Sequence, residues 1–342
     1  MNEVFEQIRT YINAHQQDMM DLWETIVNID SGTTNAEGVR RVAETLQREM
    51  VDAGMQTKLI ESGLAGPTLV AEWNKNRQAA PIALIGHMDT VFKDGTAAAN
   101  PFRVDEEGNA HGPGVLDMKA GLVIALFAVK ALQAVGFDRR PVKFIFSGDE
   151  ENAHGLSDGA DILEEELKGC CCALNFETGY MDDGLVVARK GALMMDLEVK
   201  GVSAHSGNAP EKGRSAVLEM AKKIVELEEK NDLERGKLIN CGVISGGTVA
   251  NAIPDACKCT IGIRFPSIAV RDEILADIQA ATEHSYIDGT SAKLVMKGGI
   301  QCMEANDGVM KLFEHVRETA EACGYGEVHS FAVGGGSDSE LQ

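Results

Sequence analysis

Apolar residues recur every three or four positions from Val4 to Ile29 and again from Asn35 to Ala53, the period of helices with one buried face. The turn-rich Asp30-Ser31-Gly32 separates the two. Beyond them the pattern changes. TLVAEWN and PIALIGHMD read as strands, GLVIALFAVKALQAVG as a long helix stopped by Gly136, PVKFIFSGDEE as a strand and DGADILEEELK as a helix. Strands alternating with helices predict an α/β fold, a mostly parallel sheet flanked by helices. From about Gly191 the pattern restarts: LMMDLEVKG and CTIGIRF read as strands, and Ser215 to Glu229 and Arg271 to Thr282 as helices. An α+β domain is therefore expected as an insertion over residues 191–299. Helix-patterned DGVMKLFEHVRETAEACG and the loop VGGGSDSE then return to the first domain, which becomes discontinuous, residues 1–190 plus 300–342. A chain of 342 residues is long enough for two such cores.

The ends of these apolar runs carry the chemistry. His87-Met88-Asp89 closes one strand, Asp117 sits in HGPGVLDMKAG, Glu150-Glu151 ends VKFIFSGDEE, and Glu177 follows CCCALNFE. In open α/β sheets functional groups gather outside the carboxyl ends of the strands, where His87, Asp89, Glu150, Glu151 and Glu177 all fall. Carboxylates with one imidazole suit a divalent metal, and a spare carboxylate beside a ligand suits a general base. Each residue alone has a plainer reading. His87 could simply be packed, Asp117 could cap the helix that follows, and Glu150-Glu151 could be a solvated pair. Four separated segments presenting metal-ligand residue types at strand ends outweigh those readings and point to metal-assisted hydrolysis.

The inserted segment holds three further candidates. His205 in VSAHSGNAPEKGRSA lacks acidic neighbours suited to a metal, and its plain reading is a surface loop histidine. Arg264 inside TIGIRF reads as a buried guanidinium that needs a partner, either a substrate carboxylate or a structural acid. Asn251 in GGTVANAIPD is a turn residue whose amide could donate to a substrate.

Charge narrows the partners. With 53 acidic against 32 basic side chains, the net charge of -21 repels nucleic acid and anionic membrane surfaces, so neither is expected as a partner. The eight cysteines, Cys170-Cys171-Cys172 among them, show no disulfide framework, and Cys257 and Cys259 share one face of a strand as packing residues. With no signal-peptide core and no run of 18 apolar residues, a cytoplasmic protein is expected.

At these motifs the chain resembles the co-catalytic di-zinc metallopeptidases that include glutamate carboxypeptidase, aminoacylase, acetylornithine deacetylase and succinyl-diaminopimelate desuccinylase. HMDTVF, GPGVLDMKAG, GDEE, NFETG, GVSAHSGNAPEKGRSA and GGTVANAIPDACKCTIGIRF carry the resemblance nearly end to end, the last two most like the glutamate carboxypeptidase branch. The resemblance implies two divalent ions, zinc first with manganese or cobalt as alternatives. Asp117 would bridge them, His87 and Glu177 completing one site and Glu151 contributing to the other. Asp89 would orient His87, and Glu150 would be the general base. His205 would reach across a homodimer formed through residues 191–299 to stabilise the oxyanion, assisted by Asn251, and Arg264 would bind the substrate carboxylate. A cis peptide at Asp117-Met118 is also implied. The family's second metal takes a histidine from near the C-terminus, whereas this sequence stops at Leu341-Gln342 and His329 does not match that motif. Either the sequence is cut short by some tens of residues, the preferred expectation, or the second site is defective. The implied reaction is cleavage of an amide bond on a small peptide or N-acyl amino acid bearing a carboxylate. An aminopeptidase for di- or tripeptides, or a non-catalytic paralogue, are the alternatives.

Overall fold

The computed structural model describes residues 2–179 and 182–338. The chain divides into two compact units, one of residues up to Leu185 with Lys311–Ser330 and the residues from Ser337, the other of Val186–Met310 with Phe331–Gly336. Among the described residues no helix is long and apolar enough to cross a membrane.

The first unit opens with helices α1, Asn2–Ala14, and α2, Gln16–Val27. Sequence periodicity predicts one continuous helix here; His15 breaks it. Its backbone leaves the helical region (φ -112°, ψ 18°) while its ring Nδ1 donates to the Tyr11 carbonyl at 2.8 Å. The apolar period survives such a break because both helices pack against the same helix, Ala120–Ala134. Helix α3, Ala36–Asp52, is capped by Asn35, whose side chain accepts from the Gly38 N–H.

The sheet comprises β1 Gln56–Ile60, β2 Thr68–Trp73, β3 Ile82–His87, β4 Val142–Ser147 and β5 Cys172–Asn175, in the order β1-β2-β4-β3-β5. It is mixed. The β4-β3-β5 part is parallel, because helix α4, Ala120–Ala134, and helix α5, Gly159–Leu167, return the chain between its strands. A short turn joins β1 to β2, and β2 pairs antiparallel with both β1 and β4. Alternate strand residues face opposite layers. Leu69, Ala71, Leu84, Phe144 and Phe146 pack against Ile26, Val42, Leu46, Leu122 and Leu126 of the helices. Val70, Ala83, Ile85 and Ile145 pack on the other face against Leu163 of α5. Register then sets the site: His87 lies beside Ser147, and Ile85 beside Asn175, so three strands end together.

The second unit carries an antiparallel sheet of β6 Gly191–Lys200, β7 Leu238–Gly246, β8 Ala256–Phe265 and β9 Ser291–Ile300, ordered β7-β8-β6-β9. Helices α6, Ala216–Glu228, and α7, Ile268–Glu283, cover one face, burying Met195, Leu197, Val199, Ile261 and Ile263 against Met220, Ile274 and Ile278. Glu219 and Lys223 form a buried ion pair at 3.0 Å; Glu219 also accepts from the Tyr286 and Ile287 N–H groups, pinning the loop after α7. A further helix, α8, Asp307–Ala322, belongs to the first unit from Lys311 onward.

Gly121, in the first turn of α4, shows how tightly β5 is seated. A Cβ there would lie 1.9 Å from the Phe176 carbonyl oxygen, directly before Glu177. Gly121→Ala should lower stability by about 1–3 kcal/mol through overpacking, read as a shifted urea midpoint, and should weaken metal binding by displacing Glu177. An unchanged midpoint would mean that this strand end moves freely.

Candidate metal centre

His87 ends β3 almost fully buried, with 1% of its side chain exposed. Its Nδ1 lies 3.0 Å from the Asp89 carbonyl oxygen and 3.3 Å from Asp89 Oδ1, both acceptors, so Nδ1 carries a proton and Nε2 is turned to the other acids. Nε2 stands 3.3 Å from Asp117 Oδ1, 3.7 Å from Glu177 Oε1 and 3.8 Å from Glu150 Oε2. His87, Asp117 and Glu177 each present a ligand atom, all within 4.8 Å of one another. Asp117 reaches this position on a tight turn, Val115–Lys119, and its peptide bond to Met118 is cis.

Asp89 does more than face His87. Its Oδ1 accepts from the Glu150 N–H (3.1 Å), and its Oδ2 accepts from the Glu151 N–H (3.3 Å) and the Thr33 hydroxyl (2.6 Å). The turn presenting both glutamates is thereby fixed to the end of β3. Burial, with Asp338 and Glu177 as repelling neighbours, pushes the Glu150 carboxyl up to about 8 against the pull of His87. Glu151 is raised to about 7, again chiefly by burial. Burial works against a charge on His87, yet the carboxylates of Asp117 and Asp89 hold its pKa well above the ordinary imidazole value. The chemistry of this donor set fits a divalent cation: the carboxylates of Asp117, Glu150 and Glu177 crowd the Nε2 side of one imidazole, a density of negative charge that a cation would balance. His87, Asp117 and Glu177 would hold the ion. Glu151 does not join that three-ligand group among the described residues.

The candidates of the second unit come together separately. His205 pairs with Ala252 in a short ladder, and the Ser206 N–H donates to the Asn251 carbonyl at 3.0 Å. His205 Nδ1 accepts from the N–H groups of Gly207 (3.1 Å) and Asn208 (3.2 Å), so Nε2 carries the proton. Both side chains are exposed. Arg264 corrects an expectation: it is exposed, not buried. Ile261, Ile263 and Phe265 of β8 point under the helices, so Arg264 projects from the opposite face, its Nη1 donating to the Ile263 carbonyl at 3.0 Å.

The pattern described as peptidase family M20/M25/M40 matches residues 83–341. The chain belongs to this family. It is 27% identical over 323 residues to carboxypeptidase G2 of Pseudomonas sp. (strain RS-16), covering 92% of this chain and 76% of that protein. It is 30% identical to acetylornithine deacetylase of Myxococcus xanthus over 61% of this chain and 56% of that one. Among solved structures, aminopeptidase PepT from Bacillus cereus superposes with a TM-score of 0.74 at 21% identity, over 95% of this chain and 87% of that chain. The M20 family metallo-carboxypeptidase Sso-CP2 from Sulfolobus solfataricus gives 0.59 at 16% identity, over 94% and 87%. These structures share the fold. As an M20/M25/M40 protein the chain is a metallopeptidase-type hydrolase.

Several residues at this family's centre escape a reading by motif. Lys119 is fully buried, its ammonium donating to the Ile26 (2.8 Å) and Ile29 (2.9 Å) carbonyls, and burial lowers its pKa to about 7. Ser337 donates to Glu177 at 3.4 Å and accepts from Asn175 Nδ2 at 2.7 Å. His154 bridges Asp149 and Asp338. Only the DMK and GGGSD motifs hint at any of these.

The raised acids predict a pH response in metal-free protein. A free carboxyl loses its proton near 4.5, but Glu150 keeps it to about 8 and Glu151 to about 7, so between pH 5.5 and 7 the folded state binds more protons and stability falls as pH rises. His154, raised to about 10 by its two carboxylate partners against burial, acts in the same direction: its contribution is complete below about 6.5 and declines toward 10. Glu150 alone should cost about 2 kcal/mol across that window, at about 1.4 kcal/mol per pH unit. Urea unfolding at the two pH values should show this loss, and a stoichiometric divalent ion should abolish it. A flat profile without metal would contradict the proposed charge imbalance.

Proposed function

We propose that the chain is a zinc-dependent carboxypeptidase or deacylase that cleaves an amide bond on a substrate bearing a free carboxylate, a C-terminal amino acid such as glutamate or an N-acyl amino acid. The observation that carries this reading is the placement of Glu150. It is a mostly buried carboxyl whose Oε2 lies 3.8 Å from His87 Nε2, beside the three-ligand group. A general base must stand within reach of the proton it takes, directly or through one water, and a carboxylate beside the ion's ligands meets that condition.

His87, Asp117 and Glu177 would hold one ion, and Asp117 with Glu151 a second, with zinc preferred and manganese or cobalt possible for the same ligands. When bound, such ions polarise a scissile carbonyl and make water a stronger acid. Glu150 takes the proton of the attacking water and passes it to the leaving amine, which departs neutral. Asp89 orients His87 and fixes the backbone of Glu150 and Glu151 throughout. His205, with Nε2–H free to donate, would stabilise the oxyanion from the partner of a homodimer, assisted by Asn251. Arg264, its guanidinium exposed, would engage the substrate carboxylate in a bidentate pair.

The dimer would form in the cytoplasm through the inserted domain, residues 191–299. Its edge strand β7 exposes Val243 (64%) and Ile244 (51%), an apolar edge that a second copy could cover. The relatives named as carboxypeptidase and deacetylase favour this substrate class. The aminopeptidase reading, suggested by fold likeness, requires a free substrate amine.

Glu150→Gln should retain bound metal while turnover falls by about 100- to 10,000-fold; preserved turnover would remove Glu150 as the base. Arg264→Ala should raise KM for carboxylate substrates with kcat little changed. An equal effect on an analogue lacking that carboxylate would remove Arg264 from the role.

A further inference from the structure

Three residues beyond the glutamate pair, His154 occupies a place that the reaction above does not use. Its side chain is 9% exposed, and both ring nitrogens are engaged by carboxylates: Nδ1 with Asp149 Oδ1 at 2.9 Å, Nε2 with Asp338 Oδ1 at 2.7 Å. A neutral imidazole has one N–H and could serve only one such acceptor; two acceptors at these distances call for the doubly protonated ring. The carboxylates are themselves buried, at 1% and 4% side-chain exposure. Each keeps one neutral donor, Ser157 Oγ to Asp149 Oδ2 at 2.7 Å and Ser147 Oγ to Asp338 Oδ2 at 2.8 Å. Removing the ring would leave two buried charges without their shared counterion, a far costlier loss than a surface ion pair.

The two ends of this bridge touch different parts of the centre. Asp149 directly precedes Glu150, and the turn closes on itself through His154 N–H to the Asp149 carbonyl (3.1 Å) and Ala153 N–H to the Glu150 carbonyl (2.7 Å). Ala153 and His154 hold φ of +47° and +56°, a left-handed backbone disfavoured for both residues and sustained by the surrounding bonds. At the other end Asp338 follows Ser337, whose hydroxyl reaches Glu177. The GGGSD loop and the glutamate turn lie 184 residues apart in sequence and meet at one ring.

We propose that His154 is a positioning residue whose imidazolium joins the turn carrying Glu150 to the loop carrying Ser337, so that the base and the ligand Glu177 are held as one unit. This rests on Glu150 acting as the base. His154 touches no reacting atom in this scheme; it fixes where the carboxylate of Glu150 stands.

The test uses the metal-loaded full chain with His154→Gln and Asp338→Asn, the second leaving the His154–Asp149 bond intact should the first fail to fold. Each should lower kcat by about 10- to 100-fold, the range for partners that orient metal-site groups, with KM and metal content nearly unchanged. The double variant should be no worse than either single one, as for residues of one network. In the metal-free proteins, amide hydrogen exchange should quicken in residues 149–152 and 334–338 together. Retained kcat, strictly additive losses, or faster exchange in one segment alone would overturn the proposal. A fully active Glu150→Gln would overturn the base assignment instead, and the exchange measurement would still decide whether His154 joins the two segments.

Discussion

The carboxylate of Asp89 is the constraint on which the centre depends. It is wholly buried, and a buried carboxylate is tolerated only where donors surround it. Here the donors come from three places: the ring of His87 on its own strand end, the Thr33 hydroxyl from the loop after α2, and the two successive N–H groups of Glu150 and Glu151 after β4. A single acid thus satisfies its own charge by collecting the groups that the centre needs. The sheet register prepares this, since His87 and Ser147 are paired neighbours on parallel strands and the turn after β4 has little distance to cover.

The balance of charge explains why the nearby cation points away. Lys119 lies two residues after Asp117 and could have neutralised the acids. Instead its ammonium takes the Ile26 and Ile29 carbonyls at and just beyond the end of α2, where the helix dipole places partial negative charge. Burial lowers its pKa to about 7, the mark of a charge accommodated at a cost. The lysine thereby anchors the Asp117 turn to the end of α2 and leaves the acids without its charge. His154 does the same on the other flank, spending its charge on Asp149 and Asp338 rather than on Glu150.

Much of this was legible in the sequence because a parallel βαβ order places strand ends together, so His87, Asp89, Glu150, Glu151 and Glu177 could be grouped from pattern alone. Asp117 followed from its glycine-rich approach. What resisted reading depended on information that periodicity lacks. The break at His15 leaves the apolar spacing intact on both sides. The antiparallel pairing of β1 and β2 depends on which sheet edge the hairpin joins, and the exposure of Arg264 depends on the phase of strand alternation, which only packing selects. The His154–Asp338 contact is a long-range pairing of side chains with no local signature.

His87 and His205 show why residue type alone underdetermines chemistry. Around His87, Nδ1 meets acceptors, the carbonyl and carboxylate of Asp89, so Nδ1 is protonated and Nε2 can offer a lone pair to a cation once its own proton is displaced. Around His205, Nδ1 meets donors, the N–H groups of Gly207 and Asn208, so Nε2 must carry the proton. The same ring is therefore set as an electron-pair donor in one unit and as a hydrogen-bond donor in the other. Each assignment follows from whether the chain two or three residues onward presents C=O or N–H to Nδ1.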